Sequence, residues 1–95
     1  MEERKIENKL RNEIMKSGGL ALKFISPGMS GVPDRIVMLP EGKVIFVELK
    51  SPGEKMRKLQ LLRKKQFEML GFKVLCIDSI EGVDNFIKEI KSNGV

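Results

Sequence analysis

GVPDRIVMLPEGKVIFVELK, residues Gly31 to Lys50, holds two apolar runs separated by Pro40, Glu41 and Gly42. A connection of that length and composition suits a hairpin, so Asp34 to Leu39 and Lys43 to Lys50 are expected as antiparallel neighbours. Val44, Ile45, Phe46 and Val47 leave the second strand no polar side. Such a strand belongs in a sheet covered by helices on both faces. Residues two apart share a face, so Val44, Phe46, Glu48 and Lys50 point the same way and an apolar row ends in two charges. Antiparallel pairing sets the start of one strand beside the end of the other, which places Asp34 close to Glu48.

Charges at the end of a buried strand cost desolvation energy unless they pair, reach solvent or hold something. Two adjacent carboxylates repel when ionised, and a raised pKa, a basic neighbour or a divalent cation relieves them. Mg²⁺ is commonly held by one or two carboxylates, with waters and substrate phosphate oxygens completing its shell, and Asp34 with Glu48 match that need. Lys50 would lie beside the phosphate, where an ammonium stabilises developing negative charge or helps orient and deprotonate an attacking water. The set fits phosphodiester hydrolysis. A plainer reading of the same residues is an ion pair of Glu48 and Lys50 at a sheet edge, with Asp34 a turn residue after Pro33.

Outward from this hairpin, Ile6, Leu10 and Ile14 recur every four residues in Glu2 to Lys16, the spacing of an amphipathic helix that Gly18 and Gly19 stop. Leu20 to Ser26 reads as a strand, and Pro27 to Pro33 as a glycine- and proline-rich loop. Beyond the hairpin, Met56 to Leu70 is expected as a helix with Leu59, Leu62, Met69 and Leu70 on one side, ended by Gly71. Phe72 to Asp78 is a further apolar strand. Val83, Phe86, Ile87 and Ile90 mark a last helix ending near Ser92. The order αβββαβα describes an α/β fold, a mixed sheet flanked by helices, and residues 1–95 are expected to form one domain.

Composition narrows the chemistry. The 95 residues include no His, Tyr or Trp, which removes imidazole general bases, Ser/His/Asp and Cys/His nucleophilic sets and tyrosine strand transfer. Cys76, the single cysteine, is expected as a small core residue of an intracellular protein. No signal-peptide pattern or membrane-length apolar run is present, so a cytoplasmic setting and no membrane partner are expected. Lys and Arg number 18 against 13 acids, a net charge of +5. The excess crowds at Lys55, Arg57, Lys58, Arg63, Lys64 and Lys65, a pattern that serves either as a phosphate-binding face or as a solvated helix surface.

Pro33-Asp34 followed by Glu48-Leu49-Lys50 resembles the PD-(D/E)XK nuclease superfamily. The likeness, running from Ile6-Glu7 through Gly31-Val32-Pro33-Asp34 to Asp78, is closer to its VRR-NUC branch in the small stand-alone form of phages and prophages. The resemblance implies a restriction-endonuclease-like core and a Mg²⁺- or Mn²⁺-dependent DNA nuclease. It implies Asp34 and Glu48 as metal ligands, the Leu49 carbonyl as a further ligand, and Lys50 as the catalytic lysine. It implies also a first-helix glutamate near the metal, for which Glu7 is the match, and spacing leaves Glu3 open as well. Of the two glutamines in the second helix, Gln60 matches the family spacing and is expected to orient substrate or water, with Gln66 a buried or interfacial group. Lys64 lies one turn past Gln60 and is expected as a phosphate contact with Arg57 and Lys58. Lys23 and Ser26, with the Gly28 to Gly31 loop, resemble the family's approach to the site.

The implied protein is a nuclease of a bacterial host cell, phage or prophage encoded, selective for branched DNA such as four-way junctions and acting as a homodimer. Leu61, off the main apolar stripe, is a candidate for the dimer surface. A non-catalytic DNA-binding module with the same fold is the alternative.

Overall fold

The computed structural model describes residues 2–92. Its elements run α1 (Glu2–Lys16), β1 (Leu20–Lys23), β2 (Arg35–Leu39), a 3₁₀ turn at Pro40–Gly42, β3 (Lys43–Leu49), α2 (Lys58–Met69), β4 (Lys73–Ile77) and α3 (Ile80–Lys91). The strands form one sheet in the order β1-β2-β3-β4. Both pairings among the first three are antiparallel, and β4 joins β3 in parallel after the α2 crossover.

Alternation along the strands sorts the sheet into two faces. Val37, Leu39, Ile45, Val47, Leu49 and Ile77 turn to one side, where they meet Ile6, Leu10 and Ile14 of α1 and Val83, Phe86 and Ile87 of α3. Fully burying each such side chain contributes roughly 1.5–3 kcal/mol, so this layer holds most of the fold's stability. On the opposite face Phe46 sits among Phe24, Phe67 and Phe72, its ring centroids 4.8 to 5.5 Å from theirs. Phe67 is the anchor of α2 there. Among the described residues no helix is long and apolar enough to cross a membrane.

Several expectations need correction. The first strand ends at Lys23, not Ser26; Phe24 donates one more hydrogen bond, to the Asp34 carbonyl at 2.7 Å, before the chain turns away toward Pro27. The second helix begins at Lys58, not Met56, and none of its residues is buried. Leu59, Leu62, Met69 and Leu70 share a side as expected, but that side faces solvent, with Met69 and Leu70 78% and 75% exposed. Cys76 is exposed rather than in the core. Its sequence neighbours Leu75 and Ile77 turn to the α1/α3 side, so they screen the opposite face, where Cys76 lies, not at all.

Gly31 ties the Pro27 to Pro33 loop to α2. It has φ of +84°, and a Cβ there would fall 2.7 Å from the Leu59 Cγ. Glycine alone satisfies both the left-handed backbone and the close approach. Arg63 adds a hydrogen bond from Nε to the Ser30 carbonyl at 2.8 Å.

Candidate active site

The register that pairs Arg35 with Val47 puts Asp34 opposite Glu48, one step beyond the ladder. The two residues clasp each other across the strand ends. The Asp34 amide donates to Glu48 Oε1 at 3.2 Å, and the Leu49 amide donates to Asp34 Oδ2 at 3.1 Å. Each carboxylate is thus fixed by the other strand's backbone, which orients it without a side-chain partner of like charge.

Glu48 is only 2% exposed. Its second oxygen, Oε2, receives two charge-compensating or polar donors: Lys50 Nζ at 3.3 Å and Gln60 Nε2 at 2.8 Å. Burial pushes the Glu48 carboxyl above its ordinary range, the Asp34 charge pushes it further, and Lys50 opposes both. A group in that state gains from any additional cation placed on it.

Gln60 performs two tasks with one amide. Its Oε1 accepts from the Arg57 amide at 2.8 Å, closing the first turn of α2, and this leaves Nε2 aimed at Glu48. The helix start therefore sets the donor's direction. Gln66, by contrast, is exposed and accepts from Arg63 Nη1 at 3.0 Å, so it is neither buried nor near the site.

On the α1 side of the strand ends lies a cleft of about 380 Å³ lined by Glu3, Glu7, Lys23, Phe24, Ile25, Asp34, Arg35 and Leu49. Asp34 and Leu49 therefore belong both to the clasp and to the cleft. Glu7 is not gathered with Asp34 and Glu48: its carboxylate is bound by Arg35 Nη2, and that contact holds its pKa below the ordinary range. Glu3 lines the same cleft and accepts a loose bond from Ser51 Oγ. Lys23 is exposed at the cleft, and Ser26 is half-buried with its carbonyl accepting from the Met29 amide. Arg57 and Lys58 are exposed at the start of α2, while Lys64 is paired with Glu68 at 2.8 Å.

Sequence reasoning passes over Arg35. Its signal is present, since Arg35, Val37 and Leu39 share the buried phase of β2, and a charge in such a row requires a partner. Nothing in the sequence says that the partner is Glu7, 28 positions away.

The Asp34 and Glu48 carboxylates at the strand ends carry hard oxygen atoms, the kind that suits Mg²⁺ or Mn²⁺. Among the described residues no three Asp, Glu or Cys side chains are gathered into a metal-binding group. Two carboxylates with a main-chain carbonyl still match the sparse protein ligation typical of Mg²⁺.

A mixed four-stranded sheet between helices, with Pro33-Asp34 at one strand's start and Glu48-Leu49-Lys50 at the next one's end, defines a restriction-endonuclease-like fold. No family model matches the sequence. A solved structure described as a VRR_NUC domain superposes with a TM-score of 0.87 and 31% identity, covering 93% of this chain and 96% of its own. A protein of Acyrthosiphon pisum secondary endosymbiont phage 1, named "Putative nuclease p44", is 53% identical over 74 residues, 78% of this chain and 80% of the relative. The chain belongs to the VRR-NUC family.

Proposed function

We propose that this protein is a divalent-metal-dependent DNA endonuclease, residues 1–95 forming one nuclease domain, that works as a homodimer on branched DNA. Nuclease activity has the support of the VRR_NUC likeness and of the phage relative's name. The observation that carries the catalytic reading is the clasp of Asp34 and Glu48 with Lys50 and Gln60 around it.

Asp34, Glu48 and the Leu49 carbonyl would hold Mg²⁺ or Mn²⁺, with Glu7 an added acidic group on the cleft wall. The ion, when bound, supplies Lewis acidity at a phosphate oxygen and lowers the pKa of an attacking water. Lys50 then does two things with one ammonium. It offsets the charge of Glu48, and it stands ready to hold the proton-bearing water or the developing charge on the phosphate. Gln60, fixed by the Arg57 amide, keeps Glu48 Oε2 in place and so keeps the carboxylate's direction constant. Lys23, Ser26, Arg57, Lys58 and Lys64 are read as contacts to flanking DNA phosphates, which position a duplex without reading bases. Phe rings are the chain's only aromatics, and Phe24, Phe46, Phe67 and Phe72 pack on each other in tilted and edge-on pairs, which supports contact to DNA through its backbone rather than by base stacking in that layer. Recognition by backbone and shape fits a branched substrate.

The dimer reading rests on an unmatched apolar surface. Four strands at about 4.8 Å spacing make a sheet face wider than one helix of about 10 Å can cover. On the α2 face, Leu20, Leu22 and Met38 of β1 and β2 remain exposed, as do Leu59, Leu62, Met69 and Leu70 of α2 and its end. α1 and α3 both pack on the other face, which supports a second copy as the cover for the open half. Two copies also supply two sites, one for each cut of a symmetric junction. The expected setting is the cytoplasm of a bacterial cell carrying a phage or prophage.

Incubating the protein with labelled four-way junction, duplex and single strand, with and without Mg²⁺ or Mn²⁺, tests this reading. Metal-dependent cuts strongest on the junction are expected. Binding without any metal-dependent cut would leave a non-catalytic DNA-binding module, and equal cutting of all three substrates would remove the branch preference alone.

A further inference from the structure

We propose that Arg35 is a positioning residue for the active site: it holds the Glu7 carboxylate on the wall of the cleft that Asp34 and Leu49 share, and thereby sets the affinity of that cleft for a divalent cation. The inference rests on the reading of Asp34, Glu48 and Leu49 as a cation site.

Arg35 occupies the first position of β2, in the row that continues with Val37 and Leu39 against α1. An aliphatic residue there would simply extend the core. Replacing a whole buried ion pair by packed apolar groups is often neutral or stabilising, so burial of a charge at this position is not required for a packed core. The guanidinium is nevertheless held from two sides. Nη1 donates to the Ala21 carbonyl of β1 at 3.4 Å, and Nη2 donates to the Glu7 carboxylate of α1. The arginine side chain is only 8% exposed, whereas that of Glu7 is 31% exposed and lines the cleft. One end of the pair is therefore rigid and the other faces the space where a ligand would enter.

The arrangement has the form of an outer-shell contact on a metal site. A planar, fully charged fork anchored to a strand fixes the direction of a carboxylate on a neighbouring helix, and a lysine would fix it less well. The charges that line the cleft make the need clear. Glu3, Glu7 and Asp34 face it together with Lys23 and Arg35. Without the guanidinium, Glu7 would be free to swing to solvent, since no other donor holds it among the described residues.

Mn²⁺ titration by isothermal calorimetry, alongside calorimetric unfolding, separates this role from a structural one. Arg35→Leu is expected to lower the unfolding temperature by no more than Glu7→Gln does, since both lose the same ion pair, while weakening Mn²⁺ binding by about ten- to a hundredfold, the usual effect of losing a residue that orients a metal-site group. Arg35→Lys is expected to recover part of that loss. Glu7→Gln approaches the pair from its more exposed side, so the test stands even if Arg35→Leu does not fold, and it is expected to weaken binding as much. The double variant should bind no worse than either single one. Mn²⁺ affinity unchanged or tightened in Glu7→Gln or Arg35→Leu overturns the proposal, as does a fully additive double variant. A wild-type protein that binds no Mn²⁺ at all overturns the cation-site reading, and this proposal falls with it; wild-type binding that Arg35→Leu preserves overturns the role of Arg35 alone.

Discussion

Glu48 at the end of β3 and Glu7 on α1 are carboxylates with opposite electrostatic settings, and each setting carries a pH signature. Glu48 has its pKa raised by burial and by Asp34. The folded state thus binds its proton more tightly than the unfolded chain, and stability from this group is full in acid and falls as pH rises past 4.5 through the raised value. Glu7 is held below its ordinary value of 4.5 by the hydrogen bond from Arg35. Its contribution is present above 4.5 and disappears as pH falls through the lowered value. Urea melts from pH 3 to pH 8 should therefore show Glu7→Gln costing stability at neutral pH and nothing in strong acid. Lys50→Ala should show the reverse trend, a cost that grows with pH because it leaves the buried Glu48 charge without its ammonium. DNA binding by Lys50→Ala should survive while cutting is lost.

Asp34, Glu48 and Lys50 could be placed together from strand alternation and hairpin pairing alone, because both rules are local and exact in period. Arg35 and Cys76 could not. For Arg35 the partner comes from a helix distant in sequence, and for Cys76 the apolar neighbours Leu75 and Ile77 face the other side of the sheet and give it no cover.

Elements follow the same division. The order of helices and strands was legible because each carries a clear period and most are bounded by glycine or proline, and no boundary moved by more than three residues. What the sequence could not convey is which helix faces are covered. The apolar sides of α1 and α2 look alike as patterns, yet α1 buries Ile6, Leu10 and Ile14 while α2 buries nothing. The difference is one of layer: α1 shares its face with α3, and α2 stands alone on the other. α2 is instead held at particular points, among them Gln60 on Glu48, Arg63 on Ser30, Leu59 against Gly31 and Phe67 among the rings. Gly31→Ala should therefore act on the site through α2. Its Cβ has to displace Leu59, and the left-handed backbone disfavours it, so a loss of about 1–3 kcal/mol in denaturant unfolding is expected. Cutting should fall as Gln60 is drawn off Glu48, with unchanged activity counting against that coupling.

At the level of the whole molecule, apolar side chains stay exposed both on β1 and β2 and on α2, and we propose that a second copy covers them. With a dimer held through these side chains, Leu62→Glu with Leu70→Glu is expected to give a monomer in sedimentation velocity where the unaltered protein gives a dimer. Since both residues are exposed in the monomer, 48% and 75%, its own stability should change by no more than about 0.5 kcal/mol per site. A wild-type protein that sediments as a monomer at micromolar concentration would remove the dimer from the account. It would leave the site intact, because all its groups come from one chain. The site itself is tested most directly by a crystal soaked in Mn²⁺ and measured for anomalous scattering. One strong peak within bonding distance of the Asp34 carboxylate, the Glu48 carboxylate and the Leu49 carbonyl is the expected result. A protein that cuts DNA with Mn²⁺ yet shows that position empty, with its ion bound elsewhere, would contradict the catalytic assignment.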